Sequence, residues 1–181
     1  LTFIFLNRSF TIAQNKEYLT LTEITIDTTR LDDARYVLKT FGKLTHQRSW
    51  SEEYDDYSRK FTELRFGSII VSTYTNKSGR IFTNLIHVTG PNHKVFINNK
   101  IFMINDSVSI LKNSLPKVYD EYLDFANKNK NDKNMNFFGI PILIFNNYNE
   151  NETYYGSLKF GIQNGIIKEI LVDLRPEGEY D

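Results

Sequence analysis

The residues best suited to chemistry in this chain are three histidines, His46, His87 and His93, and four acids close together, Glu52, Glu53, Asp55 and Asp56. His87 and His93 flank Gly90 in the segment HVTGPNH. An imidazole pair at such a turn would serve as a metal clamp or an acid–base pair. Their spacing matches no zinc motif, and the segment also reads as one strand-end histidine and one solvated loop histidine. The four acids fall within WSEEYDDY, residues 50–57. Catalytic carboxylates need burial or a close like charge to move their pKa values apart, and a polar loop supplies neither. A calcium site would need ligand spacing and a glycine that this segment lacks. No nucleophile elbow, Walker loop or dinucleotide fingerprint occurs. The glycines of residues 156–165 (GSLKFGIQNG) lie in a hairpin pattern with no following helix, so they do not form a phosphate cradle. The expectation is a non-enzymatic protein with no catalytic residue, no metal and no cofactor.

The same acidic segment makes a better contact surface. Trp50, Tyr54 and Tyr57 are interleaved with Glu52, Glu53, Asp55 and Asp56. Trp and Tyr carry much of the energy of protein interfaces, and flanking charges steer a partner. These seven residues are the candidate partner-binding set, on a polar loop over residues 43–57, and a basic protein would suit them. Docking of the aromatics onto the chain's own sheet is the competing reading, because Trp50 is the only tryptophan.

The elements that must hold this loop are mostly strands. With 14 Phe and 11 Tyr in 181 residues, the chain has ample core material of a kind that suits sheets. Alanine, the best helix former, occurs at Ala13, Ala34 and Ala126 alone. Strands are expected at residues 18–26, 59–66, 68–75 and 80–88, then at 94–97 and 100–104 around Asn98-Asn99. Three more follow at 137–145, 154–162 and 166–174, the last two joined by Asn164-Gly165. One helix is expected at residues 29–40, with Leu31, Ala34, Val37/Leu38 and Phe41 recurring at helical spacing and Gly42 ending it. A second is expected to follow the capping segment Asn105-Asp106-Ser107, with Val108, Leu111 and Leu115 as its apolar positions and Pro116 stopping it. A polar Asn/Lys-rich loop comes next.

Lys+Arg and Asp+Glu balance at 22 each, which lacks the electrostatic footprint of a nucleic-acid binder. Without cysteine there are no disulfides, thiol nucleophiles or thiolate metal sites. No apolar run reaches the length of a membrane span. Residues 1–14 (LTFIFLNRSFTIAQ) read either as the end of a secretory signal or as an edge strand.

The two halves share one plan: a strand, a capped short helix, a long polar loop, then three antiparallel strands. Aligning Phe41-Gly42 with Leu115-Pro116 pairs Ala34 with Val108 and Val37 with Leu111. The expected fold class is therefore α+β: two tandem strand-helix-three-strand units forming antiparallel sheet, helices packed on one face. The units span residues 18–90 and 91–181, after an N-terminal segment 1–17. Residues 31–42 (LDDARYVLKTFG) resemble the short helix and glycine turn of the small outer-membrane assembly lipoprotein fold. Residues 98–116 (NNKIFMINDSVSILKNSLP) resemble the hairpin and capped helix of beta-lactamase inhibitory protein-like domains. The resemblance implies tandem units, usually exported, that act by binding proteins. The cysteines common in those inhibitors are absent, and no stretch matches their inhibitory loop. The functional expectation is a protein-binding module of the bacterial envelope or secreted space, of inhibitor, immunity or assembly type. A small-molecule or lipid-binding domain with a pocket between helix and sheet is the alternative.

Overall fold

The computed structural model describes residues 18–31, 41–54, 57–75, 79, 81–145 and 153–174. Their strands form two sheets. In chain order the strands are β1 (Leu19–Thr20), β2 (Ile24–Ile26), β3 (Thr29–Arg30), β4 (His46–Tyr54), β5 (Tyr57–Phe66), β6 (Ile69–Thr75) and β7 (Ile81–Val88). The second half adds β8 (Val95–Ile97), β9 (Lys100–Phe102), β10 (Asn136–Phe145), β11 (Thr153–Gln163) and β12 (Ile166–Asp173). One α-helix among the described residues, α1 (Pro116–Lys128), stands between β9 and β10.

The larger sheet has eight strands in the order β1-β10-β11-β12-β7-β6-β5-β4, and the smaller has four, β3-β2-β8-β9. All neighbours are antiparallel except β1, which runs parallel to β10. Alternation explains the layering. Ile69, Val71, Ile86, Val88, Leu158, Phe160, Ile170 and Val172 are buried at every second position and build the inner face of the large sheet. Ile24, Ile26, Val95, Ile97 and Phe102 do the same for the small sheet. One continuous core joins the two sets. Phe102 of the small sheet meets Phe160 of the large one with ring centroids 5.6 Å apart.

The expected α+β arrangement is overturned. A four-stranded sheet stands where two helices were expected to cover the strands. Thr29 and Arg30, placed at the start of the first helix, pair with Ile26 and Thr25 as β3; residues 32–40 of that helix lie outside the described residues. The second helix is displaced. Residues Val108–Asn113 form a 3-10 turn capped by Ser107, and Pro116 opens α1 instead of ending a helix. Proline suits a first helical position, where its missing N–H costs nothing and its fixed φ is already helical. The stretch read as a polar loop then supplies a helix that buries Val118 and lays Tyr122 and Phe125 edge-on against Phe138, at 5.6 and 5.5 Å. The strand expected over residues 18–26 is broken by a 3-10 turn at Leu21–Glu23, where Thr20 and Glu23 form a capping box. Residues 43–57, expected as a loop, are largely β4 and the start of β5.

Around its central seam each sheet is close to two-fold symmetric, except at the outermost strands of the large one, where β1 is parallel to its neighbour and β4 antiparallel. In the small sheet, β2 and β8 pair Ile24 with Ile97 and Ile26 with Val95, and each strand belongs to a hairpin that turns at a positive-φ residue, Asp27 or Asn98. In the large sheet, β7 and β12 meet with Val88 opposite Ile170 and Ile86 opposite Val172. Counting outward from that seam, both wings slip register at the same place. Ser72 pairs with Leu85 but Thr73 with Thr83, leaving Asn84 as the extra residue. Gly161 pairs with Glu169 but Ile162 with Ile167, leaving Lys168. A β-bulge bends its strand and is a designed feature rather than a defect.

Candidate binding surface on the outer face of the large sheet

The hairpin β4–β5 carries the candidate residues. It pairs Trp50 with Phe61, Arg48 with Glu63 and His46 with Arg65. Residues on a strand alternate between faces, so His46, Arg48, Trp50 and Glu52 share one face and Gln47, Ser49, Ser51 and Glu53 the other. The register continues this first face inward: Phe61 pairs with Tyr74, and Tyr74 with Phe82. These pairs make a ladder of four aromatic rings across four strands, on the side of the sheet away from the core. Trp50 stacks on Phe61 at 5.6 Å, Phe61 lies 6.4 Å from Tyr74, and Tyr74 stacks on Phe82 at 5.3 Å. Aromatic cross-strand pairs each contribute about 0.2–1 kcal/mol to a sheet, so the ladder is stabilising; Trp50 is its exposed end, Phe61 and Phe82 are half-buried, and Tyr74 is buried.

Guanidinium groups line the ladder. Arg48 lies 5.2 Å from the Trp50 ring centroid and Arg59 4.9 Å from that of Tyr74. Arg48 also donates to Glu63 at 3.1 Å, and Arg65 donates to the other oxygen of Glu63 at 3.0 Å. Glu63 is 8% exposed. Burial acts to raise its pKa, but the hydrogen bond from Arg65 and the charge and hydrogen bond of Arg48 outweigh it and hold the carboxyl below the usual glutamate range. Trp50 Nε1 donates to Glu52 Oε1 at 3.1 Å, and Trp50 stays 37% exposed.

Of the seven expected contact residues, the structure brings Trp50 and Glu52 together on this face. Strand alternation assigns Glu53 to the opposite face. Tyr54 ends β4 and Tyr57 begins β5, opposite each other in register; Asp55 and Asp56 lie outside the described residues. Sequence reasoning missed Arg48, Arg59, Phe61, Glu63, Arg65, Tyr74 and Phe82. The run Arg48-Ser-Trp-Ser-Glu52 alternates large and small side chains with period two, which is a strand pattern. Recognising it would have exposed the shared face. The acids thus stand among arginines, and the surface is mixed in charge.

The histidines fall in separate places. His87 Nε2 and Glu169 Oε2 are 2.7 Å apart across the central seam. His93 Nδ1 and Asp27 Oδ2 are 2.8 Å apart at the turn between β2 and β3, where Asp27 also accepts from the Lys94 amide. Each is an imidazole–carboxylate pair, two members of an acid–base relay. Among the described residues no side-chain hydroxyl hydrogen-bonds either ring. Nor does any group of three or more His, Asp and Glu among them gather as a metal site. No described helix is long and apolar enough to cross a membrane.

The chain matches no known family model, no curated protein and no solved structure. The surface itself is therefore the guide to function.

Proposed function

We propose that this protein is a non-enzymatic module that binds another protein through the outer face of β4–β7. The observation that carries this reading is the Trp50–Phe61–Tyr74–Phe82 ladder flanked by Arg48, Arg59 and Arg65. Trp, Tyr and Arg are the residues over-represented where interfaces concentrate their energy. The arginines already lie against rings or carboxylates, so little side-chain freedom is left to lose on contact. A partner with both acidic and basic groups suits this face better than a purely basic one. An inhibitor, immunity or assembly role is compatible with such a surface. We further propose that residues 18–90 and 91–181 derive from one duplicated unit; the matched bulges at Asn84 and Lys168 support this.

The test is affinity capture from an extract of the source cell with the wild-type protein and with Trp50→Ala. Trp50 is exposed, so its removal should leave the fold intact. The expected outcome is loss of at least one partner with Trp50→Ala. Equal recovery of every partner would overturn the role assigned to the ladder.

A further inference from the structure

The two edges of the large sheet differ in kind. At one end stands β1, two residues long and followed directly by a capped 3-10 turn. At the other stands β4, nine residues long, with no described strand beyond it. Every side chain from His46 to Glu53 is exposed. Proteins commonly blunt an edge by keeping it short, as at β1, because an open strand templates pairing with another chain.

The β4 sequence is complementary to itself. A two-fold axis perpendicular to the sheet at Trp50 would pair residue 50 with residue 50 of a second copy, 49 with 51, 48 with 52, 47 with 53 and 46 with 54. Arg48 of each copy then stands opposite Glu52 of the other, on the same face, and does so twice. Opposite charges facing each other across an antiparallel pair are stabilising, and like charges are destabilising. Moving the axis to Ser49 or Ser51 sets Trp50 against Arg48 or Glu52 and shortens the overlap. The Trp50-centred register is the one that pairs all nine residues and matches both charges. A two-fold contact uses the same patch on both subunits, so this symmetry is what a second copy requires and what an unrelated strand has no reason to show.

We propose that two copies of this chain join edge to edge at β4, antiparallel and centred on Trp50, to form one continuous sheet. The two aromatic ladders then run into each other at the paired tryptophans and double the surface proposed above. This goes beyond the binding reading and does not depend on it.

The test uses sedimentation of the full chain and the absence of native cysteine. The wild type should sediment as a dimer of 21.3 kDa subunits at micromolar to 100 micromolar concentration. Glu52→Arg, which sets like charges opposite each other twice, should weaken the dimer about tenfold or more. An equimolar mixture of Ser49→Cys and Ser51→Cys chains should form intermolecular disulfides under mild oxidation, because those positions face each other in this register at a separation a disulfide spans. Either variant alone should form far fewer. A wild type that stays monomeric at about 100 micromolar would overturn the proposal. So would a dimer in which the mixture cross-links no better than each variant alone. A monomer that still captures a partner in a Trp50-dependent way would sink this inference and leave the binding reading standing.

Discussion

The two wings of the large sheet share a frame and differ in what they show to solvent. The register matches Val71 with Phe160, Leu64 with Phe138 and Ser72 with Gly161, and both wings bulge immediately after that last pair. On the inner face Val71, Phe160, Leu64 and Phe138 are all apolar and buried. On the outer face the wings part. Where the first wing carries Glu63 and Arg65, the second carries Phe137 and Gly139. A Cβ on Gly139 would come within 2.8 Å of the Leu158 carbonyl oxygen, and one on Gly161 within 2.9 Å of the Phe137 ring. The second wing thus keeps its outer face low at two positions, and the first builds its outer face up with rings and ion pairs. The inner faces match because both must fill one core; the outer faces are free to diverge, and that is where a function can be told from a frame.

The contrast between the wings can be probed at the frame, at the glycines or at the ladder. The largest effect is expected at the frame. Phe160→Ala removes a fully buried ring that meets Phe102, and should lower stability by about 3–5 kcal/mol in chemical denaturation. Next come the glycines. Gly139→Ala drives a methyl group against backbone that has little room to move, and should cost about 1–3 kcal/mol. Arg65→Ala, at the matched position of the first wing, should cost under about 1 kcal/mol because that side chain is 46% exposed. Equal losses for the two would deny that the wings differ in the way described.

Glu63 gives a finer test, with an effect smaller than that of Phe160→Ala. Glu63→Gln weakens two charge-assisted hydrogen bonds and should cost about 1–2 kcal/mol at neutral pH. Its lowered pKa fixes the sign of the pH dependence. The contribution is fully present above the ordinary glutamate value of about 4.3 and is lost as pH falls through the lowered folded value. The stability gap between wild type and Glu63→Gln should therefore close as acid is added, and a gap that widens would contradict the assignment. Trp50→Ala should cost as little as Arg65→Ala, about 1 kcal/mol or less, from the loss of one exposed stacked ring.

Much of the strand frame was legible because turn chemistry is local. Asn98 and Asn99 both have positive φ, as do Asn164 and Gly165, and each pair closes the two-residue hairpin its sequence predicted. The β5, β6 and β7 strands lie within one or two residues of their expected limits. Three features were not legible, each for a physical reason. Pro116 stops a helix or starts one equally well, and residues 117–128 decide between the two. There the stripe Val118, Tyr122, Phe125 was hidden by the lysines, acids and asparagines between its members. The acids of residues 52–56 masked an exposed edge hairpin, since a strand with solvent on both faces has no apolar alternation to reveal it. The ladder was not legible at all: its four rings come from four strands, and only the register brings them together. Trp50 and Glu52 were picked out for their chemistry, and the structure gave them different neighbours from those expected.

The binding surface proposed above is the outer face of the first wing and not that of the second. A photoreactive benzophenone side chain introduced at Glu52 on β4, or at Lys159 on the outer face of β11, would test it directly in an extract of the source cell. Covalent capture of a protein other than a second copy of this chain is expected from position 52, and none from position 159. Capture from position 159 alone, or equally from both, would contradict it.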